Sequence, residues 1–241
     1  MADSTLRALL SELAAVADPA RAKSSTWFFK TAKSQYGEGD CFIGIKVPVQ
    51  RKIALRYRHL PSAAIKKLLA SKIHEHRFVA LEILVAQFGA AAPAQQTALY
   101  RFYLANIAGV NNWDLVDTSA PYIVGEYLLN RPRSILRKLA KSRSLWERRI
   151  AIVSTFAFIR AGQTADTFAI AKMLLADKHD LIHKAVGWAL REAGKQSPAE
   201  LIDFLKAHYE HLPRTALRYA IERFTPAERK RFLSGKFQSA V

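Results

Sequence analysis

Apolar residues recur at i, i+3 and i+4 through most of the chain, and Gly, Pro, Ser and Asn interrupt the runs. Few stretches alternate as strands do. The spacing predicts helices over 4–16, 19–33, 48–58, 62–71, 74–88, 94–107, 112–129, 132–141, 145–161, 165–175, 180–194, 198–208, 213–224 and 226–234. In the helix over 180–194, Ile182, Ala185, Val186, Ala189 and Leu190 form one stripe. Asp18-Pro19 and Ser197-Pro198 read as helix starts, a capping side chain followed by proline at the first helical position. Pro121 falls inside the span 112–129 and should break or kink it. The exception to the helical pattern is 34–47, where three glycines and Asp40 make a loop. Its Gly-Glu-Gly followed by Asp is acidic and matches no phosphate-binding fingerprint, so it reads as a plain connector.

One stretch organises the rest. Asn111 or Asn112 caps a helix that places Trp113 and Asp117 four residues apart, on one helical face. An aromatic face beside a carboxylate suits a developing cation. Arg149 lies 36 residues after Trp113, and Trp188 lies 39 after Arg149. Helix-turn-helix solenoids repeat at roughly 34 to 47 residues, so equivalent helices would bring these side chains onto one concave surface. No interior linker shows a composition shift, and the chain 1–241 reads as a single domain.

Composition narrows the partner. Half of the residues are hydrophobic and the formal net charge is +17, which asks for a polyanion such as DNA, RNA or an acidic membrane surface. Cys41 is the only cysteine, so no disulfide framework forms within the chain. The N-terminus lacks the basic start and apolar core of a signal peptide, and the nearly apolar run from Ile150 to Ile159 is too short to span a bilayer. These features predict a soluble, cytoplasmic protein.

Several side chains carry candidate chemistry. Asp117 suits a carboxylate that stabilises a developing cation; it also suits a helix-surface carboxylate paired with a basic neighbour. Trp188 stands between Lys184 and Arg191 on its helix, an aromatic flanked by cations, as nucleic-acid contacts require. Tryptophans in helical arrays also serve simply as packing residues, which is the first reading of Trp146 and Trp27. Arg149 is in register with Val153 and Phe156, so its guanidinium should face protein. It is then a phosphate clamp or half of a buried salt bridge, with Asp117 among the possible partners. Arg148 should point to solvent or phosphate. Further cations cluster at Arg131, Arg133, Arg137, Lys138, Lys141 and Arg143, and again from Arg214 to Arg231. The pairs His74/His76 and His179/His183 lack a third ligand in a zinc pattern and read as surface histidines. No Walker A loop, dinucleotide fingerprint or Gly-x-Ser-x-Gly is present.

Three segments together, Trp113 to Asp117, Trp146 to Ile152 and Lys184 to Glu192, resemble the AlkD family of DNA alkylation repair proteins. The resemblance is firmest from about 100 to 224. It implies an all-α, HEAT-like helical-repeat solenoid with a concave basic groove. It implies a DNA glycosylase that hydrolyses the N-glycosidic bond of N3- or N7-alkylated purines in duplex DNA, without strand cleavage and without a conventional base pocket. By the same resemblance Asp117, Trp113, Trp188 and Arg149 form the catalytic set. Arg148, Lys184, Arg191 and Trp27 contact DNA, with Phe28 and Phe29 beside Trp27. No metal or organic cofactor is implied, and the expectation is a monomer that associates with the nucleoid when bound to DNA. The alternative is a noncatalytic nucleic-acid-binding scaffold of the same fold.

Overall fold

The computed structural model describes residues 2–236; the outermost residues of the predicted 1–241 domain, 1 and 237–241, lie outside it. Among the described residues the chain is all-helical with no strand, and its β structure is an isolated bridge between Cys41 and Ile73. The chain divides into two compact units, Met1–Ile123 and Val124–Val241.

The first unit contains α1 (Ala2–Ala15), α2 (Pro19–Phe28), α3 (Val47–Arg56), α4 (Ser62–Leu69), α5 (His74–Ala90), α6 (Pro93–Ala105) and α7 (Trp113–Ala120). Helices α3, α4, α6 and α7 all pack on α5. Its run Phe78 to Leu84 is apolar on nearly every side, the pattern of a helix buried all round. The first turn is therefore inside as well. His74, Glu75 and Arg77 are each only 2–3% exposed. His74 is thus not the surface histidine its spacing suggested.

Burying that turn fixes the loop over it. The Glu75 carboxylate accepts the backbone N–H groups of Ile43, Gly44 and Ile45, at 3.1, 2.7 and 3.3 Å. Gly44 has φ +82°, and a β-carbon there would lie 2.1 Å from the Asp18 carbonyl oxygen. Gly44→Ala should therefore lower the unfolding free energy by about 2 kcal/mol, read from urea denaturation.

Helix α2 ends at Phe28, short of the predicted 33. It buries no residue, Lys30 and Ser34 have left-handed φ of 51° and 64°, and the Ser24 and Thr26 hydroxyls bond back to the carbonyls of Ala20 and Lys23. Without a packed face, nothing extends the helix. The span 112–129 breaks where expected. α7 stops at Ala120, a π turn runs from Pro121 to Gly125, and α8 follows (Glu126–Leu128). Proline has no N–H to continue the ladder.

The second unit continues from α8 with α9 (Ser134–Ala140), α10 (Leu145–Val153), α11 (Phe156–Arg160), α12 (Ala165–Leu174), α13 (Asp180–Gln196), α14 (Pro198–Ala207), α15 (Arg214–Ala220) and α16 (Pro226–Ser234). Here α13 is the centre, with α10, α11, α12, α14 and α15 packed on it. The predicted stripe from Ile182 to Leu190 is its buried face. Gly187 permits α15 to approach, since a β-carbon there would sit 2.5 Å from the Ala216 carbonyl oxygen. The predicted helix 145–161 is divided in two. Ser154 Oγ and Thr155 Oγ1 bond the carbonyls of Ile150 and Ile152 at 2.6 and 2.7 Å, competing with the helical ladder. Among the described residues no helix is long and apolar enough to cross a membrane.

Candidate functional site

Helix α7 is held at every turn. Asn112 is its cap, and its side-chain oxygen accepts the Trp113 N–H at 2.8 Å. Thr118 donates to Glu82 at 2.6 Å, and Glu82 also accepts from Arg51. Ser119 and the buried Tyr103 hydroxyl lie 3.0 Å apart, while Ser119 Oγ donates to the Leu115 carbonyl. Burial, and secondarily the nearby Asp117 charge, push the Tyr103 phenol well up. Against this fixed frame Trp113 and Asp117 occupy the same face, both half-buried.

Aromatic rings support Trp113. Phe29 stacks on it, with centroids 5.5 Å apart and planes 16° apart, and Phe28 meets it edge-on at 6.0 Å. Trp27 stands away from this stack in solvent, 83% exposed, and Phe28 is 56% exposed. Phe29 also lies 4.9 Å from Phe42, which stacks on His74 at 4.6 Å.

Beneath the rings is a buried ionic cluster. His74 Nε2 lies 2.8 Å from Asp114 Oδ2, and Nδ1 lies 3.1 Å from Asp40 Oδ2. Both ring nitrogens face carboxylate oxygens, so both must donate and the ring is an imidazolium. Burial opposes its charge, but the carboxylates, Asp114 foremost, prevail and push its pKa up to about 9. Asp40 also accepts from Arg77 and from Asn112 Nδ2, the latter at 3.0 Å. Burial would raise the Asp40 pKa; His74, Arg77 and Asn112 outweigh it and hold the carboxyl below the usual range. Two carboxylates, one guanidinium and one imidazolium leave the cluster neutral.

In the second unit Arg149 is 5% exposed, as its register required, and its Nη1 donates to the Leu181 carbonyl at 2.7 Å. Trp188, half-buried on α13, packs against Phe156 with centroids 4.3 Å apart. Arg148 does not point to solvent. It is paired with Asp177 and donates to the carbonyls of Ser142 and Arg143 at 3.0 and 2.9 Å, because Asp177 precedes α13 where α10 packs. Lys184 pairs with Asp180 at 2.7 Å, one helical turn away. Arg191 is matched by Glu192 and Glu222. By contrast Arg131, Arg137, Lys138, Lys141, Arg143, Arg218, Arg223, Arg229, Lys230 and Arg231 are exposed.

Sequence reasoning missed the cluster. The loop 34–47 reads as a plain connector in sequence, yet its Asp40 anchors His74, Arg77 and Asn112, and Phe42 from the same loop carries the His74 ring. One signal was available: His74-Glu75-His76-Arg77 opens a helix that is apolar on all sides, so some of those polar groups had to be buried and paired. His179 caps α13 and His183 bonds the Asp177 carbonyl, so neither is a free surface ring. Among the described residues no three His, Cys, Asp or Glu side chains are arranged to hold a metal ion.

Comparison with known proteins adds the family. A family model described as DNA alkylation repair enzyme matches residues 9–224. Among solved structures, one described as a predicted DNA alkylation repair enzyme from Enterococcus faecalis is similar to this chain. It has 16% identity and a TM-score of 0.67, covering 87% of this chain and 97% of that one. At that identity the likeness speaks to the fold. A search of curated proteins found no match. A match across nearly the whole chain, carried by an all-helical fold, places this protein in the DNA alkylation repair enzyme family.

Proposed function

We propose that the protein is a monofunctional DNA glycosylase that hydrolyses the N-glycosidic bond of N3- or N7-alkylated purines in duplex DNA. The observation that carries this reading is the face of α7. Trp113 and Asp117 sit one turn apart, half-buried, on a helix anchored to its neighbours through Asp114, Thr118 and Ser119. Alkylation at N3 or N7 gives the base a positive charge and makes it a good leaving group. Little acid catalysis is then needed. What remains is stabilising the sugar cation as the bond breaks, for which a carboxylate beside an aromatic face is suited. Asp117 would supply the charge and orient the water, and Trp113 the π face.

In the second unit Arg149 would hold a DNA phosphate and Trp188 would offer an aromatic face to DNA. The exposed cations, Arg131, Arg137 and Lys138 among them, are better placed for nonspecific phosphate contact than Arg148, Lys184 or Arg191, whose charges are already matched. Trp27 is available for a sugar or base.

The test is incubation with a duplex carrying N7-methylguanine or N3-methyladenine. Free methylated base should appear with the strand left uncut. Binding that weakens with salt but releases no base would instead identify a noncatalytic scaffold.

A further inference from the structure

The chemistry proposed above makes no direct use of His74, yet the first turn of α7 hangs from it. We propose that His74 is a positioning residue: by joining Asp40 of the loop to Asp114 of α7, it sets the aim of Trp113 and Asp117. The inference rests on the reading of Trp113 and Asp117 just given.

Two physical routes run from the ring to the site. One is polar. The Nε2–H donates to Asp114 Oδ2 at 2.8 Å, and the other oxygen of that carboxylate accepts the Leu115 N–H at 2.9 Å. The same Asp114 therefore ties the helix's opening backbone to α5. On the far side Nδ1–H donates to Asp40 Oδ2, the oxygen that also accepts from the cap residue Asn112. Trp113 thus lies between two residues, Asn112 and Asp114, that are both fastened to one buried cluster. The second route is aromatic. His74 lies 4.9 Å from Phe29, and Phe29 stacks on Trp113.

Arg77 already pairs with Asp40, so the charge of His74 balances Asp114, and charge balance and the link to α7 rest on the same contact. Removing both charges together separates the two roles. The His74, Asp40 and Asp114 side chains are 3%, 6% and 14% exposed, so water cannot substitute for the bridge. Asp117 follows Trp113 by one turn on the same rigid element, so tilting the first turn moves both groups relative to a substrate.

The decisive variant is His74→Phe combined with Asp114→Asn. It keeps an aromatic ring against Phe29 and Phe42, removes the bridge, and leaves Asp40 and Arg77 as a neutral pair. Positioning predicts that amide exchange of residues 113–117 quickens at least about tenfold while α13 is unchanged. It also predicts that kcat for base release falls at least about tenfold with KM held within about twofold. Wild-type exchange, or a wild-type kcat, in this charge-balanced variant overturns the proposal. If the double variant does not fold, Asp114→Asn alone is read by the same two criteria. If the wild type releases no base, the glycosylase reading fails, and the exchange rates alone decide the role of His74: quickened exchange upholds it and unchanged exchange ends it.

Discussion

Asp117→Asn lowers the rate of 7-methylguanine release from duplex DNA at least tenfold, about 1.4 kcal/mol of barrier. The substitution keeps side-chain size and removes only the charge. As the glycosidic bond lengthens, positive charge grows on the sugar, and a full negative charge in a half-buried position stabilises it more than a neutral amide can. The ground state gains less, because most of the starting charge resides on the base. The loss therefore falls on kcat more than on KM. The frame of α7 should survive, since Asn112, Asp114, Thr118 and Ser119 supply its fixed hydrogen bonds. Equal rates in wild type and variant, measured by single-turnover release of free base, would remove Asp117 from the mechanism while leaving the activity.

Asp40→Ala destabilises the protein by roughly 3 to 5 kcal/mol, the range for breaking a buried ion pair by removing one partner. Arg77 and His74 both lose an acceptor, and Asn112 loses its link to the loop. The wild type should also show a specific pH dependence. The folded pKa of His74 is raised to about 9 from an ordinary value of 6.5. Its stabilisation is then complete below about pH 6.5 and is lost progressively as pH rises to about 9, a change of about 3 kcal/mol. The Asp40 shift has the opposite sign. Its pKa is lowered, so its contribution is present above the unfolded carboxyl pKa near 3.8 and is lost on acidification. Urea midpoints at pH 6 and pH 9.5 measure the first effect directly. A flat profile across that interval would mean that the pKa of His74 is not raised on folding, and Asp40→Ala should make the profile shallower, with Asp114 still holding part of the charge.

Much of this was legible without coordinates. The helix breaks at Pro121, the buried stripe of α13 and the inward Arg149 all follow from local periodicity and from proline's missing donor. The pairing of Trp113 with Asp117 is of the same kind, since 3.6 residues per turn puts i and i+4 on one face of any helix. The errors share a cause as well. Local spacing points Arg148 to solvent or phosphate, but Asp177, 29 residues on, meets it. The loop holding Asp40 was read as a connector, but His74 lies 34 residues further along and Asp114 a further 40.

The sequence alone determined the all-helical class, the face shared by Trp113 and Asp117 and the family, because these depend on backbone period and on order along the chain. Tertiary structure decided which charges are occupied. A guanidinium or imidazolium accepts any carboxylate that packing brings within about 3 Å, and packing around α5 and α13 chose Asp40, Asp114 and Asp177 from residues that no local period connects.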